Sequence, residues 1–431
     1  MRIFATILCL SFLPVSLYAP AQDVPTPTVD GYITAITSKT EFDVNGQHVI
    51  TTPQTEYIRR TTTKQQETDT PDPSIANSLA LGKPIQVFGN KNGKHQIVAT
   101  QIVLQQQSGS PVSGVAVIQK ITQNAPDMIL EADGYQISIS PKTNIHYGAH
   151  LSKNTVLAPG MWIEYSGNWR PDGTVLASHA KFTQFSLTSR YKKMLAMHSK
   201  ATIFPENTDS KTVKRVQQIG MRLVPAYQKN LATNDPQKIN FQFDVAISNA
   251  SNVCKLPIPV ALQNGHITLP RQLVERLQND DQIAAILANG IAKILEWQDP
   301  NSDAPQASNK GWGEAAAMGF LAGPLITMAA VEGGMCVDSE MNGTTILSKS
   351  AQQRARVGLS LMHDAGYDIM QAPRAWQIMG AKTTKKSAST ATPQPTAMPQ
   401  LSVYLWEILS REYLHGSNTV IASSKTAAGS K

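Results

Sequence analysis

The chain has 431 residues, 41% hydrophobic and 16% charged, with a formal net charge of +7. That length exceeds one compact core and implies roughly two to four domains, and the composition excludes a disordered or fibrous chain. Lys and Arg are spread without a dense basic block, so no nucleic-acid partner is expected; the charge serves solubility and weak attraction to anionic surfaces.

Residues 1–21 combine Arg2, an apolar stretch from Ile3 to Leu17 and a small-x-small site at Ala19-Pro20-Ala21, the pattern of a secretory signal peptide. An exported protein, periplasmic or extracellular, is expected. The apolar stretch is short for a bilayer core of about 30 Å and is interrupted by Pro14, so association with a membrane is admitted but a spanning helix is not. Cleavage would leave two cysteines, Cys254 and Cys336, in an oxidising compartment. A disulfide between them is one reading and two free thiols is the other, because the sequence does not say whether their Cβ atoms face each other.

Two stretches of the N-terminal half repeat one design. Alternating apolar and polar residues stop at the turn signals Asn45-Gly46, Asp133-Gly134 and Asp172-Gly173, so each stretch reads as hairpins of half-buried strands. Gly31, Gly82 and Gly89 of the first correspond to Gly114, Gly160 and Gly167 of the second. The layout resembles a small all-β module of exported bacterial proteins, a domain of unknown function, and the resemblance implies two compact barrels of five or six strands, spanning 22–108 and 109–184. Tyr135, Tyr147, Trp162, Tyr165 and Trp169 would pack on strands in preference to forming a stacking surface.

From about Ser186 the period becomes helical. Val213, Val216, Ile219, Leu223 and Val224 form one stripe over Lys211–Tyr227, with Asp209 as cap. FQFDVAI and the segment ending NGHITLP read as strands, and helices are expected over Arg271–Leu277, Asp280–Trp297 and Ser350–Ala365, the last closed by Gly366. The apolar run Gly313–Ala330 reads as a buried or cleft-covering helix pair. Residues 382–400 form a low-complexity linker, 401–415 a short amphipathic helix, and 416–431 a polar tail.

The run HITLPRQLVERLQNDDQIAAILANGIAKILEW resembles the HtpX-like zinc metallopeptidases, which include CAAX prenyl proteases and periplasmic quality-control proteases. The helix VKRVQQIGMRLV and strand FQFDVAIS upstream, and ARVGLSLMHDAGYD with PRAWQIM downstream, follow the family order over about Asp209–Met379. The resemblance implies an α+β multidomain chain: two antiparallel β-barrel modules, then a mostly helical metallopeptidase-like (gluzincin) domain over 185–381 with a small sheet. The family's chemistry needs H-E-x-x-H on one helix face and a glutamate from a second helix. Here the matching positions hold Asn289, Gly290, Ile291, Ala292 and Lys293, and the third ligand position holds Gln353. Amides are poor zinc ligands, an ammonium repels a dication, and no carboxylate remains as general base. No zinc, no other cofactor and no catalytic residue are therefore expected.

The resemblance further implies that Gly265, His266, Ile267 and Thr268 lie on an edge strand able to pair with an extended peptide; an edge protected by Pro259 and Pro270 and covered by a loop is the other reading. The expected function is that of an exported pseudopeptidase binding a polypeptide or an envelope protein. An active metallopeptidase with an unusual metal site, and a protein that binds mainly through its β modules, are the two rivals.

Overall fold

The computed structural model describes residues 26–63, 66–106, 111–123, 126–148, 151–170, 172–186, 192, 195, 210–246, 259–298, 349–380 and 400–414. The expected signal peptide, Cys254 and Cys336, the Gly313–Ala330 run, most of the expected linker and the tail lie outside the described residues.

Among the described residues the N-terminal half holds thirteen strands. β1 (Val29–Ile36), β2 (Glu41–Val44), β3 (Gln47–Ile50), β4 (Glu56–Thr63), β5 (Gln66–Pro71), β6 (Pro84–Lys91) and β7 (Ile97–Gln106) form one sheet in the order β3-β2-β1-β6-β7-β4-β5. A parallel pairing of β3 with β7, Val49 opposite Ile97, closes five of these strands into a barrel, and the β4–β5 hairpin extends it. The second sheet holds β8 (Pro111–Gln123), β9 (Met128–Ala132), β10 (Tyr135–Ile139), β11 (Asn144–Tyr147), β12 (Trp162–Trp169) and β13 (Val175–Thr183), ordered β10-β9-β8-β12-β13-β11. It closes in the same way, by β10 running parallel to β13.

The repeat extends to individual bonds. Thr55 Oγ1 donates to the Ala99 carbonyl at 2.8 Å in barrel 1, and Thr143 Oγ1 donates to the Ala177 carbonyl at 2.8 Å in barrel 2. The bulges at Phe88/Gly89 and Ser166/Gly167 coincide, and a Cβ on either glycine would overlap the carbonyl oxygen of the facing strand, Val98 or Leu176. Asn45-Gly46 and Asp133-Gly134 both take positive φ at each residue, the conformation that lets a two-residue turn follow the strand twist. Ile33, Val44, Ile85 and Ile97 fill barrel 1 and Ile118, Leu130, Ile137 and Phe182 fill barrel 2, each fully buried, contributing ~1.5–3 kcal/mol per side chain. Tyr135, Tyr165 and Trp169 are buried in the core of barrel 2 with Tyr147 half-buried against it, and Trp162 is buried on the side facing the helical half, so these aromatics pack into the interior.

The C-terminal half is helical around a three-stranded sheet. A single turn, α1 (Ile75–Ser78), lies in barrel 1; the helical half then contains α2 (Lys211–Leu223), α3 (Ala226–Asn230), α4 (Arg271–Arg276), α5 (Asp280–Glu296), α6 (Lys349–Asp364), α7 (Ala372–Gly380) and α8 (Gln400–Ile408), the last running into a wider turn at Leu409–Tyr413. The stripe on α2 is buried as its period requires, but Ser210 is the cap, its side chain accepting from Val213 N, and Pro225 ends the helix before Tyr227. Gly366 closes α6 with φ +70, and Tyr367 N donates back to Met362 O.

The sheet is ordered β14 (Gln242–Ala246), β16 (His266–Pro270), β15 (Val260–Ala261). The segment Gly265 to Thr268, expected to be an exposed edge, therefore runs into the middle strand. β14 pairs with it in parallel from Gln242–His266 to Ala246–Pro270, and β15 takes its other side at Ile267 and Thr268. The physical reason is the tight return at Gly265, where Leu262 N donates to His266 O and folds β15 back onto β16. Along the segment that β15 covers, an added peptide would have to displace a strand already in place.

Barrel 2 shares a core with the helical half, since Val117 and Trp162 belong to the same buried cluster as Val213, Ile286 and Leu405. Barrel 1 touches it through Tyr32 and Leu81, with the Leu414 side chain against Gly82.

Candidate functional site

The positions singled out by the metallopeptidase resemblance lie where α5 and α6 cross. α5 is well started: the Asn279 side chain accepts from Gln282 N, and Asp280 and Asp281 sit in the positively polarised first turn. Its buried stripe includes Ile283, Ile286, Leu287, Ile291, Ile294 and Leu295. The two helices meet closely because α6 presents Gly358, whose Cβ position lies 3.4 Å from Asn289 N and 3.5 Å from Ala288 C.

Asn289, Gly290, Lys293 and Gln353 are each half-buried at this crossing. Gly290 faces β16, with Ile267 Cδ1 and Cγ2 3.2 Å from where a Cβ would stand. The Gln353 side-chain amide donates to the Val115 carbonyl of β8 at 2.7 Å, so the position to which the resemblance assigns a third ligand is tied to barrel 2. The Lys293 ammonium lies over the Trp297 ring, 5.4 Å from its centroid. Beside them Arg354 and Glu296 form a mostly buried ion pair at 3.3 Å across the helix pair. This donor set does not fit zinc: two amides, an ammonium and a glycine offer neither imidazole nor carboxylate. Among the described residues, no three of His, Cys, Asp and Glu converge as a metal cluster.

His266 stands on β16 with Nδ1 3.8 Å from Asp244 Oδ2. Burial raises the Asp244 carboxyl, and the imidazole opposes that shift.

A second constellation, which sequence reasoning missed, joins barrel 2 to α6. Arg356 donates through Nη2 to Asp133 Oδ1 at 2.6 Å, through Nε to the Asp133 carbonyl at 3.1 Å and through Nη1 to Tyr404 Oη at 2.7 Å. Its guanidinium lies over the Tyr135 ring at 4.7 Å, and Tyr165 Oη donates to Asp133 Oδ2 at 2.7 Å. The Asp133 side chain is 1% exposed and that of Arg356 10%. Burial alone would weaken the charged guanidinium, but the Asp133 carboxylate, acting together with Tyr135, Tyr404 and Tyr165, outweighs this and Arg356 stays charged. Burial, reinforced by Asp133, raises the Tyr165 hydroxyl far above its usual value. The sequence carried one signal: barrel 1 has Asn45 at the matching turn, and that amide bonds within its own barrel to Asp30 O and Tyr32 N. Replacing the amide by a carboxylate in barrel 2 creates a charge that needs an outside partner.

Beside this pair Ser360 Oγ of α6 donates to the Glu131 carboxylate, and Gln237 Nε2 donates to the Gly160 carbonyl at 2.8 Å. Burial pushes the Glu131 carboxyl above its ordinary 4.5; Asp364 adds to the rise, while the Ser360 bond and Lys120 oppose it. The native state thus holds this proton more tightly than the unfolded chain. The stabilisation is full below the unfolded value of 4.5 and is lost as pH rises through the elevated native value. The urea midpoint is expected to fall as pH rises above about 4.5, and Glu131→Gln, which keeps an acceptor for Ser360, should flatten that slope.

A family model described as "Domain of unknown function (DUF5666)" matches residues 30–103 and again 117–181. Each match falls on one barrel, so the barrels are similar to that domain and to each other. No curated protein matches the chain. No helix among the described residues is long and apolar enough to cross a membrane.

Proposed function

We propose that the protein is a noncatalytic binding protein, an exported pseudopeptidase whose HtpX-like, gluzincin-type helical half has given up hydrolysis and whose partner is a polypeptide or another envelope protein. The observation that carries this reading is the bond from Gln353 to Val115. The side chain at the position where the family places its third zinc ligand is turned into a fastening for barrel 2, beside an ammonium and a glycine that can neither hold a metal nor activate water. A second reading, in which the two barrels are the main binding surfaces and the helical half fixes their arrangement, is favoured by the buried bonds from Gln353, Arg356 and Gln237 to barrel 2.

Protein purified without chelator should carry well under one equivalent of zinc by elemental analysis and should not hydrolyse unfolded casein. Stoichiometric zinc with chelator-sensitive hydrolysis would sink the proposal. Lineage is tested by combining Asn289→His, Gly290→Glu, Lys293→His and Gln353→Glu. The combined variant should gain zinc affinity in the micromolar range or better. It should also lose about 1–3 kcal/mol of stability, because a carboxylate at 353 cannot donate to the Val115 carbonyl. Absence of binding at millimolar zinc would show that the helix pair does not have the geometry of the family.

A further inference from the structure

We propose that the outer face of barrel 2 carries an exchangeable binding site for a divalent transition-metal ion, formed by His146 and His179. His146 lies on β11 and His179 on β13, two strands that run parallel with Asn144 opposite His179 and His146 opposite Lys181. Residues two apart on a strand share a face, so the two imidazoles are diagonal neighbours on the side turned away from the barrel core. Their ring centroids are 4.9 Å apart, with planes inclined at 41°.

That separation suits shared coordination. An imidazole nitrogen binds zinc or a similar ion at about 2.0–2.1 Å, which puts each ring centroid about 3.2 Å from the metal. Two rings meeting at a square-planar or tetrahedral angle then have centroids roughly 4.5–5.2 Å apart. The observed 4.9 Å falls inside this window, so the ring separation matches that of two imidazoles sharing one ion. His146 is exposed and His179 half-buried, which leaves the remaining coordination positions to water.

The surroundings do not oppose a cation. Lys181, opposite His146, has its ammonium 3.4 Å from Glu164 Oε2 on β12, so its charge is compensated on the same face. Asn144 and Ser166 flank His179 on its two neighbouring strands and offer oxygen atoms for the ion's water shell.

The internal repeat predicts the stoichiometry. By the matched registers, Asn144 opposite His179 corresponds to Glu56 opposite Gln101, so the equivalents of His146 and His179 in barrel 1 are Ile58 and Gln101. Barrel 1 has no imidazole at either place, and one such ion per chain is expected. With two nitrogen ligands and open positions, Cu²⁺ should bind most tightly and Ni²⁺ and Zn²⁺ more weakly. Protons compete for the same nitrogens, so acid should release the ion.

The test is calorimetric titration of the full chain with CuSO₄ and, separately, ZnCl₂ in a non-coordinating buffer, with electron paramagnetic resonance of the copper form. The expected result is a micromolar Cu²⁺ site with a two-nitrogen signature and zinc binding at least tenfold weaker. His146→Ala and His179→Ala should each weaken copper binding tenfold or more, and His363→Ala, an exposed histidine on α6, should not. Both barrel variants should keep the metal-free thermal midpoint, because neither ring is part of the core. Copper bound with the same affinity and the same two-nitrogen signature by the His146→Ala/His179→Ala double variant would overturn the proposal.

Discussion

Arg356→Ala should lower the unfolding free energy by about 3–5 kcal/mol, measured by urea denaturation at neutral pH. The size of the effect comes from what remains. Asp133 is 1% exposed, and without the guanidinium its carboxylate keeps one side-chain donor, the Tyr165 hydroxyl at 2.7 Å. An ion pair of this kind need not be worth more than a well-packed apolar pair, but breaking it leaves an uncompensated charge in a low-dielectric setting. Arg356→Lys should recover little. An ammonium cannot serve Asp133 Oδ1, the Asp133 carbonyl and Tyr404 at once while stacking on Tyr135, as the planar guanidinium does. A double-mutant cycle with Asp133→Asn should show strong coupling, because the second substitution removes the charge that the first leaves stranded. A loss below about 1 kcal/mol for Arg356→Ala would mean that the carboxylate finds water or protonates at little cost, and that the docking of barrel 2 rests on the shared apolar core instead.

The features legible in the sequence were those with a local period or a local turn. The type of turn at Asn45-Gly46 and Asp133-Gly134 and the stripe Val213, Val216, Ile219 and Leu223 follow from spacing within a dozen residues, the paired glycines follow from laying one repeat on the other, and the structure has all of them. Barrel closure was less accessible, because it depends on parallel contacts such as Val49 with Ile97, between segments nearly fifty residues apart. The place of β16 was misread for a similar reason: its strand pattern is visible, but which strand flanks it is decided by the return at Gly265. Arg356 was invisible as a buried residue because a single arginine on an amphipathic helix ordinarily keeps its head in water. Only the aspartate supplied by another unit of the fold makes its burial tolerable. The pair His146 and His179 is likewise a product of strand register across more than thirty residues, not of any motif spacing.

Gly134→Ala should disturb the same junction from the backbone side. Gly134 has φ +72, following Asp133 at φ 58, and placing a Cβ in this left-handed region costs ~1–2 kcal/mol by itself. The larger obstacle is steric: that Cβ would overlap the carbonyl carbon and oxygen of Arg356, so the clash is with the α6 backbone and not with the movable end of a side chain. Rotamer changes cannot relieve it. α6 must draw back, and any withdrawal lengthens the bonds of 2.6 and 3.1 Å from Arg356 to Asp133 and opens the Gln353 bond to Val115. The total should therefore exceed turn strain alone and reach roughly 3 kcal/mol or more. Hydrogen exchange locates the loss. If barrel 2 and α6 are seated on each other through this glycine, amides of α6 around 353–360 should lose protection together with those of β9 and β10. Loss confined to the turn, with α6 unchanged, would show that the helix does not depend on that close approach.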